Sequence, residues 1–121
     1  MHKSGKKSTE HWFIYILECD NGSLYTGFTA DLTRRYEEHL KGTGRSKYTR
    51  SFKPVRIARS WALTCTRASA MKIERLVKGL DRKMKNALVE DPGLLDELIL
   101  LETGPDMSGI KIGTGRPDRQ V

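Results

Sequence analysis

Residues Trp12-Phe13-Ile14-Tyr15-Ile16-Leu17 form an unbroken apolar and aromatic run that gives way at Asp20-Asn21-Gly22 to turn chemistry. The run is too short for a helix of ordinary length and does not alternate with polar residues, so it reads as a buried strand. Leu24-Tyr25-Thr26-Gly27-Phe28-Thr29 follows the turn at once and supplies the return strand of an antiparallel hairpin.

The turn leaves two registers open. If Asn21-Gly22 is a two-residue turn, Asp20 faces Ser23, and Tyr15 and Tyr25 point to opposite sides of the sheet. If Asp20-Asn21-Gly22 is a three-residue loop with Gly22 left-handed, Cys19 pairs with Ser23 and Tyr15 lies opposite Gly27. Tyr25 then sits diagonally on the same face, at about 7–8 Å, so that two phenols can serve one site. Gly27 would leave space there for close approach by a ligand or backbone. Tyrosines are also ordinary in half-buried strands, and the register alone does not separate chemistry from packing.

Asp31 caps a first helix in which Leu32, Tyr36 and Leu40 recur every four residues, until Gly42 and Gly44 end it. At about 100° per residue, Arg35 and His39 fall together on the margin of that stripe, and Arg34 points the other way. A basic loop closed by Pro54 leads to a third strand, with Val55, Ile57, Trp61 and Leu63 on one face, interrupted only by Arg59. Thr66 or Ser69 opens a second helix with Ala70, Ile73, Leu76, Val77 and Leu80 inward and Glu74 on its margin, four residues before Lys78. Leu88-Val89 and Leu94–Leu101 read as short helical pieces split by Asp91-Pro92-Gly93. The order β-β-α-β-α-α implies an α+β fold, a small three-stranded sheet of antiparallel type flanked by helices. Residues 1–11 read as a flexible basic arm, 12–90 as the folded domain, 91–103 as an acidic helical extension and 104–121 as a mobile tail.

Charge divides the 121 residues unevenly. Nine basic against three acidic residues lie in 31–60, and seven against two in 61–89, whereas 90–106 holds six acids and no base. The overall +7 therefore resolves into a basic body and an acidic C-terminal segment, the pattern of a polyanion-binding face. Lys41, Arg45, Lys47, Arg50 and Lys53 alternate with Tyr48, Thr49, Ser51 and Phe52, which offer donors and rings for phosphate and base. The alternative is a solvated Lys/Arg-rich loop. The acidic segment either packs on the basic body or recruits a protein partner. No run approaches the roughly 18–20 apolar residues of a membrane span, and no signal-peptide pattern precedes the first strand. The chain therefore reads as cytoplasmic, with Cys19 and Cys65 as buried structural thiols.

Phe13-Ile14-Tyr15, Tyr25-Thr26-Gly27 ten residues on, Arg35 ten further, His39 four later and Glu74 on a later helix together resemble the GIY-YIG endonuclease superfamily. The likeness spans roughly residues 12–83 and is greatest to small stand-alone bacterial members. Phe13 replaces the first motif's Gly and Thr26 the second motif's Ile, while Phe28 stands where the excision-repair branch often has Lys. The resemblance implies a metal-dependent endonuclease that hydrolyses DNA, selects for structure and serves repair or recombination. It implies Tyr15 as general base, Tyr25 and His39 as its assistants, and Arg35 on the scissile phosphate. Glu74 would hold one Mg²⁺ or Mn²⁺, and Asn86 matches a late family Asn only loosely. Lys41, Arg45, Lys47, Tyr48, Arg50 and Lys53, with Gly27, would contact DNA. A phenol of pKa about 10 is a poor base at neutral pH unless tuned. A catalytically silent module that binds DNA or RNA on the same fold is the competing reading.

Overall fold

A computed structural model describes residues 10–103 and 111–115. The elements are β1 (Glu10–Cys19), β2 (Leu24–Thr29), α1 (Leu32–Lys41), α2 (Lys47–Ser51), β3 (Pro54–Cys65), α3 (Arg67–Lys78), α4 (Arg82–Glu90), α5 (Leu94–Thr103) and β4 (Lys111–Gly115). The sheet runs β2-β1-β3-β4 and every neighbouring pair is antiparallel. The α+β class expected from the sequence is therefore correct, but among the described residues the sheet has four strands rather than three. Lys111–Gly115 belongs to the stretch read as a mobile tail. Its two glycines and single large apolar residue carry no strand signature, and it becomes a strand by pairing with the edge of β3. The remaining calls on residues 1–9, 104–110 and 116–121 lie outside the described residues, while Glu10 and His11 of the expected arm belong to β1.

The hairpin adopts the three-residue loop. Gly22 is left-handed at φ 84°, its N–H donates to the Cys19 carbonyl, and the Cys19 N–H donates to the Ser23 carbonyl at 2.9 Å. Tyr15 consequently pairs with Gly27, and Leu17 with Tyr25, so both tyrosines share one face.

Helices cover both faces of β1. On one face Ile14 and Ile16 join Trp61 and Leu63 of β3, Ala70, Ile73 and Val77 of α3, Leu88 of α4, and Leu95 and Ile99 of α5. Each buried Ile, Leu or Val side chain contributes about 1.5–3 kcal/mol by removing apolar surface from water. The other face is smaller and more polar, with Tyr15, Leu17 and Ile57 packed against Tyr25, Leu32 and Tyr36. The acidic segment is thus partly resolved: α5 is built into the main core through Leu95 and Ile99, leaving Leu100 and Leu101 exposed.

β3 does not keep its apolar residues on one face. Ile16 pairs with Arg59 but Leu17 pairs with Ile57, so Ala58 is an extra residue, a β-bulge. The bulge reverses the side-chain parity. Ile57 enters the small core, Trp61 and Leu63 the large one, and Val55 is exposed. Arg59, which interrupted the pattern, is buried and donates through Nε to the Val89 carbonyl at 2.9 Å, in the last turn of α4. A guanidinium there satisfies a carbonyl left over at the helix end and complements its dipole. Trp61 Nε1 donates to the Pro92 carbonyl at 2.9 Å, so β3 holds the α4–α5 corner at two points. Both cysteines are free and buried, at opposite ends of the β1–β3 ladder, which rules out a bridge between them.

Candidate active site

Tyr15 is 1% exposed, and its phenol crosses β2 where residue 27 has no side chain. A Cβ at Gly27 would collide with the Tyr15 hydroxyl and approach Cζ to 2.6 Å. Gly27, read as a place for close approach, admits the protein's own phenol. This fixes the Tyr15 ring between β2 below it and α1 above it.

α1 is started by the Asp31 carboxylate, which accepts from the Arg34 N–H at 3.1 Å, and stopped by left-handed Gly42. Its inward residue in the last turn is His39, not Leu40. His39 is 1% exposed whereas Leu40 is 41% exposed. The reason is chemical: the sheet face under this helix presents a hydroxyl, which an imidazole satisfies and a leucine cannot. Tyr15 Oη and His39 Nε2 are 2.9 Å apart, and His39 Nδ1 lies 2.8 Å from Thr49 Oγ1. Burial, and then the Arg35 cation, lower the His39 pKa to about 4, so the ring is uncharged at neutral pH. Burial and neighbouring Tyr25 push the Tyr15 pKa up, against Arg35, which lowers it. At rest the pair is thus a neutral phenol beside a neutral imidazole.

Arg35 lies on the same side of α1, largely covered. Its NH1 donates to Glu38 Oε1 at 2.8 Å and to Ser46 Oγ at 3.3 Å, and its NH2 to the Arg45 carbonyl. Arg34 does not point away as expected. It stands at the solvent edge of the same cleft and reaches Glu38 Oε2 at 3.6 Å.

An open cleft joins these groups. Tyr15, Tyr25 and Gly27 form its floor, Arg34, Arg35 and Glu38 one wall, and Trp12, Phe28, Arg67 and Glu74 the other, with Arg45 at the rim. Glu74 comes from α3, which packs beside β2, and it also makes the i,i+4 ion pair with Lys78 at 3.5 Å. Arg67, in the first turn of α3, lies over the Phe28 ring at 5.7 Å. Among the described residues no three His, Cys, Asp or Glu side chains converge. Of the two carboxylates in the lining, Glu38 is held by Arg34 and Arg35, and Glu74 offers hard oxygen that fits Mg²⁺ or Mn²⁺ completed by water and phosphate and does not fit a zinc cage.

Five expected residues, Tyr15, Tyr25, Arg35, His39 and Glu74, meet at or directly beneath this cleft. Arg45 reaches it, and Lys41, Lys47, Arg50 and Lys53 are exposed around α2. Tyr48 is otherwise engaged: its ring stacks on Tyr25 at 5.5 Å and its hydroxyl is 2.5 Å from Ser23 Oγ. Thr49 is fully buried and unavailable to phosphate. Asn86 is exposed on α4, accepts from Arg82 Nε at 3.2 Å and does not line the cleft. Sequence reasoning missed Glu38 and Arg67, and read Thr49 as a donor for phosphate when it faces His39. Glu38 follows Arg35 by three positions, a helical ion-pair spacing that marks it in retrospect.

The model of the GIY-YIG catalytic domain matches residues 11–87, and the chain belongs to this nuclease family. More particularly, it is similar to small proteins of the UPF0213 group. It is 38% identical to one from Halalkalibacterium halodurans over 84% of this chain and 96% of that protein, and 45% identical to one from Cupriavidus necator over 63% and 80%. The solution NMR structure of a UPF0213 protein from Bacillus halodurans is 40% identical and covers 77% of this chain and 97% of that one, with a TM-score of 0.44. Among the described residues no helix is long and apolar enough to cross a membrane.

Proposed function

We propose that the protein is a cytoplasmic, divalent-metal-dependent endonuclease that hydrolyses phosphodiester bonds in DNA of branched or flapped structure, in repair or recombination. The observation that carries this reading is the 2.9 Å contact of Tyr15 Oη with the uncharged His39, at a cleft walled by Arg35 and Glu74. Binding alone requires neither a carboxylate facing a polyanion nor a phenol coupled to an imidazole.

In the proposed reaction Arg35 leaves Glu38 for the scissile phosphate and stabilises its developing charge. Tyr15 takes a proton from the attacking water while its own proton passes to His39 Nε2. The pair, not the phenol alone, is the base, so no free phenolate forms; the approaching phosphate anion, which draws off the Arg35 cation, would raise the low basicity of His39. Tyr25, with its ring 5.2 Å from that of His39, orients the water. Glu74 would hold one Mg²⁺ or Mn²⁺, whose chemistry is charge neutralisation on phosphate and help to the leaving 3′ oxygen. Lys41, Arg45, Lys47, Arg50 and Lys53 would track the backbone, giving affinity that falls steeply with salt. The acidic segment 90–106, whose Leu100 and Leu101 are exposed, would be the surface for a protein partner.

Incubation with linear, flapped and branched DNA and with RNA, in Mg²⁺, in Mn²⁺ or with chelator, tests the proposal. Cleavage of branched or flapped DNA that needs the metal and is lost in Glu74→Ala is expected. Binding without cleavage of any substrate would instead favour the silent module.

A further inference from the structure

The buried hydroxyl of Thr49 lies in the stretch of sequence richest in exposed cations, yet it faces His39 and not solvent. α2 is short, Lys47–Ser51, and its fully buried residue is Thr49, with Ser46 buried just before it. Lys47, Arg50 and Ser51 on the same turn are exposed. A β-branched hydroxyl on a helix readily bonds back to a carbonyl one turn earlier, and Thr49 Oγ1 donates in this way to the Ser46 carbonyl at 3.2 Å. That carbonyl also accepts the Arg50 N–H at 2.9 Å, which uses both its lone pairs.

A threonine hydroxyl has one proton. Once it is given to Ser46, the oxygen can only accept from the imidazole nitrogen 2.8 Å away, so Nδ1 must carry the ring's hydrogen. The Tyr15 side leads to the same assignment independently. The hydrogen-bond partner of Tyr15 Oη is His39 Nε2, at 2.9 Å. The phenol proton needs an acceptor, and Nε2 supplies one only if it is unprotonated. The opposite tautomer would donate to Tyr15 Oη and leave the phenol proton without that acceptor.

We infer that Thr49 is a positioning residue: by accepting from His39 Nδ1–H and donating to the Ser46 carbonyl, it holds His39 in the tautomer whose Nε2 lone pair can receive the Tyr15 proton. The proton balance is closed. Water gives its proton to Tyr15 Oη as its oxygen bonds phosphorus, and Tyr15 gives its own proton to Nε2. The bond from phosphorus to the 3′ oxygen breaks with that oxygen taking a proton from solvent water, and Nε2 afterwards returns its proton to solvent. The Nδ1–H bond to Thr49 stays in place throughout and steadies the imidazolium that forms. This assignment deepens the endonuclease reading, but the tautomer it specifies does not depend on turnover.

Nitrogen NMR of the His39 ring in the full chain at neutral pH tests it first. Protonation at Nδ1 is expected, and protonation at Nε2 overturns the inference whether or not the protein cuts DNA. Thr49→Val keeps the shape and removes the hydroxyl. It is expected to move the ring hydrogen towards Nε2 and to lower kcat at least about 100-fold with KM little changed. Thr49→Ser is expected to restore both the wild-type spectrum and most of kcat. A Thr49→Val protein with the wild-type tautomer, or Thr49→Ser no better than Thr49→Val, would refute the role. Nδ1 protonation in a protein that cuts nothing would uphold the tautomer and sink the nuclease reading alone.

Discussion

The phenol of Tyr15 occupies the space that a side chain on Gly27 would fill. Two motif residues ten or more positions apart in the chain are therefore one sterically coupled unit, joined by the hairpin register. Gly27→Ala forces the ring away from His39, since the neighbour that must yield is the buried ring itself. Overpacking of this kind costs about 1–3 kcal/mol. The expected outcome is a folded but less stable protein, by urea denaturation, with cleavage reduced at least as far as in Tyr15→Phe. Retention of full activity in Gly27→Ala would show that the phenol is not placed by this contact.

Arg35 and Arg34 both border the cleft but differ in burial, with side chains 17% and 75% exposed. The half-buried guanidinium is preorganised by Ser46 and the Arg45 carbonyl, whereas the exposed one is screened by solvent. Arg35→Ala is expected to lose cleavage by roughly 10²–10³-fold, the scale for removing one charge-stabilising donor. Arg34→Ala is expected to weaken DNA binding modestly and flatten its salt dependence. Single-turnover rates and binding isotherms for the two variants separate these outcomes.

His39 gives stability a defined acid limit. Its folded pKa, about 4, lies below the ordinary value of 6.5, so the unfolded chain takes up the proton first. The stabilisation is complete above pH 6.5 and is lost as pH falls towards 4, by on the order of 3 kcal/mol. Denaturant titrations across that window should show the loss in wild type and a flatter profile in His39→Gln. Cleavage should fail on the same acid side, because a protonated Nε2 cannot accept from Tyr15.

Thr26 is 2% exposed in the main core, and its hydroxyl has no hydrogen-bond partner among the described residues. Burying an unpartnered hydroxyl costs about 1–3 kcal/mol. Thr26→Val keeps the shape and removes that cost, so a gain of about 1 kcal/mol and a Tm higher by about 4 °C are expected. The phenols face the other side of the strand, so activity should not change. A lower Tm would mean that the hydroxyl is satisfied after all.

The hairpin register was within reach of the sequence because Asp20-Asn21-Gly22 is turn chemistry with one glycine suited to a left-handed position, and parity follows from the loop length. Caps were equally legible: Asp31 and Thr66 accept from the third residue beyond them, as their side chains allow. Two kinds of feature were not. A polar residue counts as marginal in any hydrophobic periodicity, so His39 was placed beside the stripe although it is the most buried residue of α1. Only the hydroxyls of Tyr15 and Thr49, distant in sequence, make that position favourable. Thr49 itself looked like one more donor in a cationic loop, since nothing local distinguishes a hydroxyl facing phosphate from one facing an imidazole. The fourth strand was invisible for a related reason, as Lys111–Gly115 is a strand only because β3 presents an edge to it.

The extra residue at Ala58 changes the phase of β3 between Arg56-Ile57 and the stretch from Arg59 onward, as in a ruler whose divisions shift by one mark. Just N-terminal to it, at Ile57, the strand is in step with the face that carries Tyr15 and Leu17, and C-terminal to it with the core of α3, α4 and α5. The length of this strand is therefore as constrained as its composition. Loss of one alanine would remove little buried surface, yet it would put Ile57 out of step with Leu17 or Trp61 out of step with Ile14, so that one side of the protein could be kept only at the expense of the other.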